Sequence, residues 1–417
     1  MNSRRLRRVV AVGLLAAVCL TAPACQSDSS PKKAGPLTIP GIDLKPDTTG
    51  AGQVPGALVS ASTFPTLDLR LKSAVSLAAR IAYTSTSGIT GDHTEVSGAV
   101  FVPNGTPPQG GWPIIVFGHA TSGMQSECGP SGSSTLQGLS MPITTLVKAG
   151  YVVSLPDYQG LGPGTAGHPY ADATTVGYNV IDSARAAHKL VPESSDRWLA
   201  VGVSQGGQAA WAANELAAGY GTGLNLVGTV SLSPATDLTG LAAGAAAGSL
   251  SKEQGAILQL ILAALATENP SLNLADYRRG EIVEHWDVLA SCRTEDAAAR
   301  SAAIDKITPD DLRPANPQAE ATLQELLAKR SLPKEPTSAP MLVLYGGQDT
   351  LLLPDWTNRA LAAACRLGDV IDIMFQPTKG HADIDVAMSY DWIKDRFDGV
   401  PAQNSCPSFN STQGAGQ

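Results

Sequence analysis

The sequence predicts an α/β protein, a mostly parallel sheet covered by helices on both faces, and three observations carry that expectation. Short apolar runs alternate with helix-length stretches along most of the 417 residues, which is the rhythm of strands joined by crossover helices. One strand-to-helix junction reads Gly202-Val203-Ser204-Gln205-Gly206, the G-x-S-x-G elbow that lifts a serine hydroxyl out of a sheet. The two partners such a serine needs, a carboxylate and then a histidine, follow in that order as Asp349 and His381, each just past an apolar run.

The strands are read from their β-branched and aromatic content. Runs 79–86 and 96–102 come first, then 113–118, where Ile114, Ile115, Val116 and Phe117 lead into a glycine. Runs 151–156, 198–203, 227–232, 341–345 and 370–375 follow. Helices are expected between them at 136–149, 176–190, 208–218 and 355–364. The stretch 236–338 breaks the alternation with several helix-like segments and is expected to be a helical cap, or lid, inserted before the acid-bearing strand. Within it, 254–266 is apolar almost all round, through Ile257, Leu258, Leu260, Ile261, Leu262 and Leu265. A helix without a polar face must be covered on every side or meet an apolar ligand. Both uses stay open: a wall for an acyl chain, or plain core between cap and sheet.

The termini and composition bound the class. Residues 1–24 read as a signal peptide, with Arg4, Arg5, Arg7 and Arg8 ahead of an apolar core and a small-residue cleavage site at Ala22-Pro23-Ala24. That core is too short for a stable membrane span. Cys25 stands where a bacterial lipoprotein carries its acyl group, although Ala22 replaces the usual large aliphatic residue. Residues 25–56 then read as a flexible tether, and 57–235 with 339–417 as the α/β core. An exported chain is expected, secreted or held at the cell envelope by a lipid on Cys25. The formal charge is −8 over the whole chain and becomes −12 without the four leader arginines. An acidic surface argues against nucleic acid and leaves the Cys25 anchor as the one route to a membrane. Outside the leader and Cys25, the cysteines are Cys128, Cys292, Cys365 and Cys406, an even set suited to two disulfides with three possible pairings. No C-x-x-C spacing or histidine cluster suggests a metal, and no cofactor is expected.

Position in the chain separates the alternatives within the candidate site. His93, His168, His188 and His285 lie in loop-like or helix-like surroundings and read as framework. His119 ends a strand, but it precedes Ser204, the wrong order for such an elbow. Asp383 and Asp385 sit beside His381, whereas the orienting carboxylate must reach the imidazole from a separate loop; Asp349 satisfies that requirement.

Several further motifs resemble the secretory lipase family, a branch of the α/β-hydrolases found in fungi and actinobacteria. They are Gly118-His119-Ala120-Thr121-Ser122-Gly123, Cys128-Gly129-Pro130-Ser131, Asp157-Tyr158-Gln159-Gly160-Leu161-Gly162, the Asp182 and Arg185-Ala186-Ala187 helix, and the elbow with its second glycine, Gly207. The resemblance implies Ser204 as nucleophile, His381 as base, Asp349 as orienting acid, and the backbone N–H of Gln205 as one oxyanion donor. The second donor would come from the loop after 113–118. Ser122 stands where fungal members tend to carry an aspartate, while other hydrolases point to Thr121. The resemblance also implies the pairings Cys128 with Cys292 and Cys365 with Cys406. The expected activity is hydrolysis of a small-molecule or lipid ester, of lipase or carboxylesterase type. The alternatives are a serine peptidase of the same fold and a non-catalytic lipid-binding lipoprotein.

Overall fold

A computed structural model describes residues 41–164 and 166–409. The expected signal peptide, Cys25 and the first half of the expected tether, residues 25–40, lie outside those residues. Among the described residues the strands are β1 (Leu58–Thr63), β2 (Val75–Thr86), β3 (His93–Pro103), β4 (Trp112–Gly118), β5 (Val152–Pro156), β6 (Ser194–Val203), β7 (Asn225–Leu232), β8 (Met341–Gly346) and β9 (Ile371–Gln376). They form one sheet in the order β1-β2-β3-β5-β4-β6-β7-β8-β9. The first three pairings, β1 with β2, β2 with β3 and β3 with β5, are antiparallel, and all the others are parallel.

Side chains that alternate along a strand feed two cores. On one face Ile114, Val152, Trp198 and Ala200 pack against the helices Ala173–Leu190 and Gln205–Tyr220, through Val176, Val180, Ala209 and Ala213. On the other, Ile115, Val153, Leu199 and Leu342 meet Ile143, Leu146, Trp392 and Phe397 of the helices Ser140–Lys148 and Ala387–Phe397. Neighbouring residues such as Ile114 and Ile115 thus enter opposite layers. Because both faces are covered, the central strands are apolar runs without a polar alternation.

Strand β1 and the helix Ala387–Phe397 were absent from the sequence expectations. β1 lies at the sheet edge, with β2 its one neighbouring strand, and reads Leu-Val-Ser-Ala-Ser-Thr, too mixed to stand out as a buried run. Attachment also begins inside the expected tether. Leu44 N donates to Ala61 O and Gly56 N to Thr84 O, so residues 41–56 are tied to β1 and β2 rather than free.

Between β7 and β8 the chain is helical, from Thr239–Ala247 through Lys252–Glu268 to Pro317–Arg330. These helices share an apolar core of their own, which includes Leu241, Leu258, Ile261, Leu262, Leu265 and Leu327. Tyr170, Leu352 and Trp356 reach into it from the loops and helix of the sheet layer. Ser251 starts the long helix with a reciprocal capping box: its hydroxyl accepts from Gln254 N, and the Gln254 side chain accepts from Ser251 N. Among the described residues no helix is long and apolar enough to cross a membrane.

The return from these helices to β8 is held by side chains of the sheet layer. Glu215 Oε2 accepts from Lys334 N at 3.0 Å and Glu335 N at 3.3 Å, Asp369 accepts from Thr337 N, and Asn214 pairs with both backbone groups of Ala339. Burial pushes the Glu215 carboxyl up to about 7, against the two N–H groups that favour its charge. Its ordinary value is 4.5, so between that value and about 7 the folded chain binds more proton than the unfolded one. Stability should therefore be full below about pH 4.5 and fall as pH rises toward 7, by on the order of 2–3 kcal/mol from this group. Urea midpoints at pH 5 and pH 8 check it: Glu215→Gln should flatten part of the wild-type decline. Parallel slopes in the two proteins would show that Glu215 is not responsible.

Candidate active site

Ser204 is the first residue after β6, and its backbone is bent into φ 58°, ψ −115° before the helix Gln205–Tyr220 starts. A non-glycine residue at positive φ is uncommon and costs on the order of 1–3 kcal/mol, so the surroundings must impose it. Ser204 N donates to Leu232 O at the end of β7. The flanking glycines make room: a Cβ on Gly202 would lie 1.9 Å from Gly206 O, and one on Gly206 only 2.0 Å from Gly118 O. Any side chain at either position would force strand, helix and the β4 loop apart.

Two more loops converge on the hydroxyl from the carboxyl ends of β8 and β9. Gly347 N donates to Gln376 O and Gln348 N to Lys379 O, which zips these loops together. Ser233 Oγ donates to His381 O and holds the histidine backbone beside the elbow. His381 Nε2 then lies 3.0 Å from Ser204 Oγ, and Nδ1 lies 2.7 Å from Asp349 Oδ2. The other Asp349 oxygen accepts from Leu351 N and Leu352 N, both at 2.9 Å, and the residue is buried. The imidazole and two backbone N–H groups thus hold this carboxylate in place.

The competing residues are occupied elsewhere. Asp383 Oδ1 accepts from Gly380 N, and Asp385 Oδ1 accepts from Ala387 N, both in exposed turns. His119 is buried against Tyr158, ring centroids 4.3 Å apart, with Nδ1 at Ala120 O and Nε2 at Asp157 O. Burial holds its imidazole below the usual range. Asp157, pushed up by burial in turn, accepts from Ser97 Oγ, Ser131 N and Ser131 Oγ, and so anchors the Cys128-Gly129-Pro130-Ser131 loop.

Residues 119–122 leave β4 directly beside the elbow, since Gly118 is in register with Gly202. Thr121 Oγ1 lies 2.6 Å from Tyr170 Oη, whereas the Ser122 hydroxyl is buried with no hydrogen-bond partner. The disulfide Cys128–Cys292 joins the segment after this loop to the helical insertion, and Cys365–Cys406 joins the helix Pro354–Leu367 to the C-terminal segment.

The cavity at Ser204 measures about 20 Å³ and is lined by Tyr170, Gln205, Gln208, Leu238, Ile257, Ile261, Leu351 and Leu352. That is room for about one water. Of the apolar residues of the helix Lys252–Glu268, Ile261 lines this cavity. Leu258, Leu262 and Leu265 are buried in the core of the insertion, and Ile257, one turn before Ile261, is the second helix residue at the opening. A larger hollow of about 700 Å³ lies at the opposite, amino end of β4 and β5, against Trp112, Tyr151 and Phe397.

Tyr170, Leu238, Leu351 and Leu352 had no sequence signal as site residues. None belongs to a catalytic motif, and each lines the cavity at the elbow through contacts distant in the chain.

The comparisons with known proteins agree with this architecture. The family model described as secretory lipase matches residues 127–405, more than half of the chain. A Mycobacterium tuberculosis protein described as a probable inactive lipase is 26% identical over 346 residues, covering 76% of this chain and 73% of its own length. Candida antarctica lipase A in its closed state superposes with a TM-score of 0.68 at 13% identity, with 84% of each chain covered. The rice cell wall degrading esterase LipA of Xanthomonas oryzae, in a ligand-bound form, gives 0.63 at 19% identity over 86% of this chain and 98% of that one. At such identities the structural likeness establishes the α/β-hydrolase fold alone. With that fold and the family match over most of its length, the chain belongs to the secretory lipase family.

Proposed function

We propose that this protein is an exported serine carboxylic-ester hydrolase with Ser204, His381 and Asp349 as its triad. The observation that carries the reading is the chain of short contacts from Ser204 Oγ through His381 to Asp349. A serine hydroxyl is a weak nucleophile until a neighbouring base accepts its proton, and His381 Nε2 stands at hydrogen-bond distance to do so. Asp349 holds the Nδ1–H tautomer and stabilises the imidazolium that forms. Attack on the ester carbonyl gives a tetrahedral intermediate whose oxyanion faces Gln205 N–H and a donor from residues 121–122. His381 returns the proton to the leaving alcohol, and water then releases the acyl group by the same steps in reverse order. The relative from Mycobacterium tuberculosis is described as inactive, but the connected triad favours turnover here.

The helical insertion, residues 236–338, acts in this reading as a cap that sets what reaches Ser204. The opening is walled by Leu238, Ile257, Ile261, Leu351 and Leu352, an apolar surface suited to an acyl chain and not to a charged peptide terminus. At about 20 Å³ the cavity must widen before a chain enters, by movement of the Lys252–Glu268 helix or of these side chains. Export by residues 1–24 and acylation of Cys25 complete the proposal; mass analysis of the mature N-terminus checks both.

The test of substrate class is a panel of p-nitrophenyl esters run beside aminoacyl amides. Each methylene buried in the pocket should gain about 0.8 kcal/mol, roughly fourfold in kcat/KM, from acetate toward medium-chain esters. Ile261→Asp should depress the longer esters far more than acetate. A steady fall from acetyl esters upward would mark a small-acyl esterase, and turnover of amides alone would mark a peptidase.

A further inference from the structure

We infer that His168 and Tyr170, on the loop after β5, are positioning residues that set the two sides of the oxyanion hole. The inference rests on the ester-hydrolase reading above. Its physical content is that the two candidate donors lie on different loops, after β4 and after β6, and one short segment grips both. Tyr170 Oη lies 2.6 Å from Thr121 Oγ1, and His168 Nε2 lies 3.1 Å from Gln205 Nε2. These contacts join positions 49 and 37 residues apart. All three of His168, Tyr170 and Gln205 are buried.

The polarity of the bonds is set by chemistry. His168 Nδ1 lies 2.8 Å from Gln159 O, a carbonyl that can only accept, so Nδ1 carries the proton. Burial lowers the imidazole to about 3, which keeps the ring neutral and leaves Nε2 as an acceptor. Gln205 must therefore present its amide N–H to Nε2, which fixes the side chain of the residue whose backbone N–H is the first oxyanion donor. Tyr170 acts likewise on Thr121 through the paired hydroxyls. The gripping segment is itself fixed: Arg330 Nη1 donates to Tyr170 O at 2.9 Å, and Gln208 Nε2 donates to Ala171 O at 3.1 Å. Arg330 ends the last helix of the insertion and pairs with Glu268 at the end of the Lys252–Glu268 helix. The cap and the oxyanion loops thus share one anchor.

The experiment compares Tyr170→Phe, His168→Leu and His168→Gln with the wild type in the full exported chain. The readouts are kcat and KM for p-nitrophenyl butyrate, the Ki of butylboronic acid as a tetrahedral adduct on Ser204, and the thermal midpoint. Loss of positioning should lower kcat about tenfold in Tyr170→Phe and in His168→Leu, less than the roughly hundredfold or more lost when a donor is removed outright. KM should stay within about twofold and Ki should weaken by the same factor as kcat, because the bonds at stake form in the tetrahedral state. His168→Gln, whose carbonyl can accept from Gln205, should recover most of the loss of His168→Leu. If His168→Leu fails to fold, Tyr170→Phe carries the test, since it removes a single oxygen. Wild-type kcat in Tyr170→Phe, or a kcat loss with unchanged Ki, would overturn the inference. Ser204→Ala run beside them separates the two levels: residual turnover there sinks the hydrolase reading, whereas a dead Ser204→Ala beside unaffected Tyr170 and His168 variants sinks only the positioning role.

Discussion

Ser204→Ala is expected to lose on the order of a million-fold in kcat while keeping the fold. The side chain supplies the attacking oxygen, and no other hydroxyl lies on His381 Nε2 among the described residues. Alanine keeps a Cβ at the strained position, so the backbone bend at φ 58° changes little. His381→Ala should be equally damaging, because neither residue has a use without the other: members of such a unit are grossly non-additive, and the double variant should be no worse than either single one. The measurement is single-turnover kinetics on a butyrate ester, with peptide mapping after fluorophosphonate labelling. A labelled serine other than Ser204, or activity in the alanine variant within tenfold of the wild type, would remove the triad from the account.

Asp349→Asn is expected to cost on the order of ten-thousand-fold in kcat, and Asp383→Asn less than about threefold. The asymmetry follows from what each carboxylate touches. Asp349 Oδ2 faces His381 Nδ1 at 2.7 Å, and an asparagine placed there can present its NH₂ and stabilise the wrong tautomer, with the proton on Nε2 where the base must be free. Its second oxygen accepts from Leu351 N and Leu352 N, bonds that the asparagine carbonyl would keep, and keeping them turns the NH₂ toward His381. Asp383 is exposed and accepts from Gly380 N, a local turn bond that asparagine reproduces. Reversed magnitudes would mean that the orienting acid lies on the same loop as His381 and that Asp349 is a structural residue of the β8 turn.

Much of the sheet was legible because its central strands are buried on both faces. Runs such as 113–118 and 198–203 appear as unbroken apolar stretches, and the observed β4 and β6 extend them by one and four residues at their amino ends. The edge was harder. β1 is short, mixed in polarity and has one neighbouring strand, so its strand character comes from pairing with β2 and not from its own residues. The helix Ala387–Phe397 was hidden for a related reason. It buries Trp392, Ile393 and Phe397 on one face but presents Asp391, Lys394 and Asp395 between them, and nothing local said that a sheet face awaited it.

The candidate site divides along the same line. Chain order and short motifs named Ser204, Asp349 and His381, because an elbow demands glycines at fixed offsets and its partners must follow strand ends in sequence. Those are local requirements, written within a few residues of each position. The relations between loops have no local signature: Tyr170 on Thr121, His168 on Gln205, Arg330 on Tyr170, and Ile257 with Ile261 over the opening. His168 reads in sequence as a framework histidine, and its placement against the elbow depends on the loop after β5 folding back across the ends of β4 and β6. By itself the sequence determined the α/β class and named the candidate residues for the chemistry. Only the tertiary structure decided which loops hold them and how little space stands before Ser204, because hydrogen bonds and packing between distant segments exist only once the sheet has brought its strand ends together.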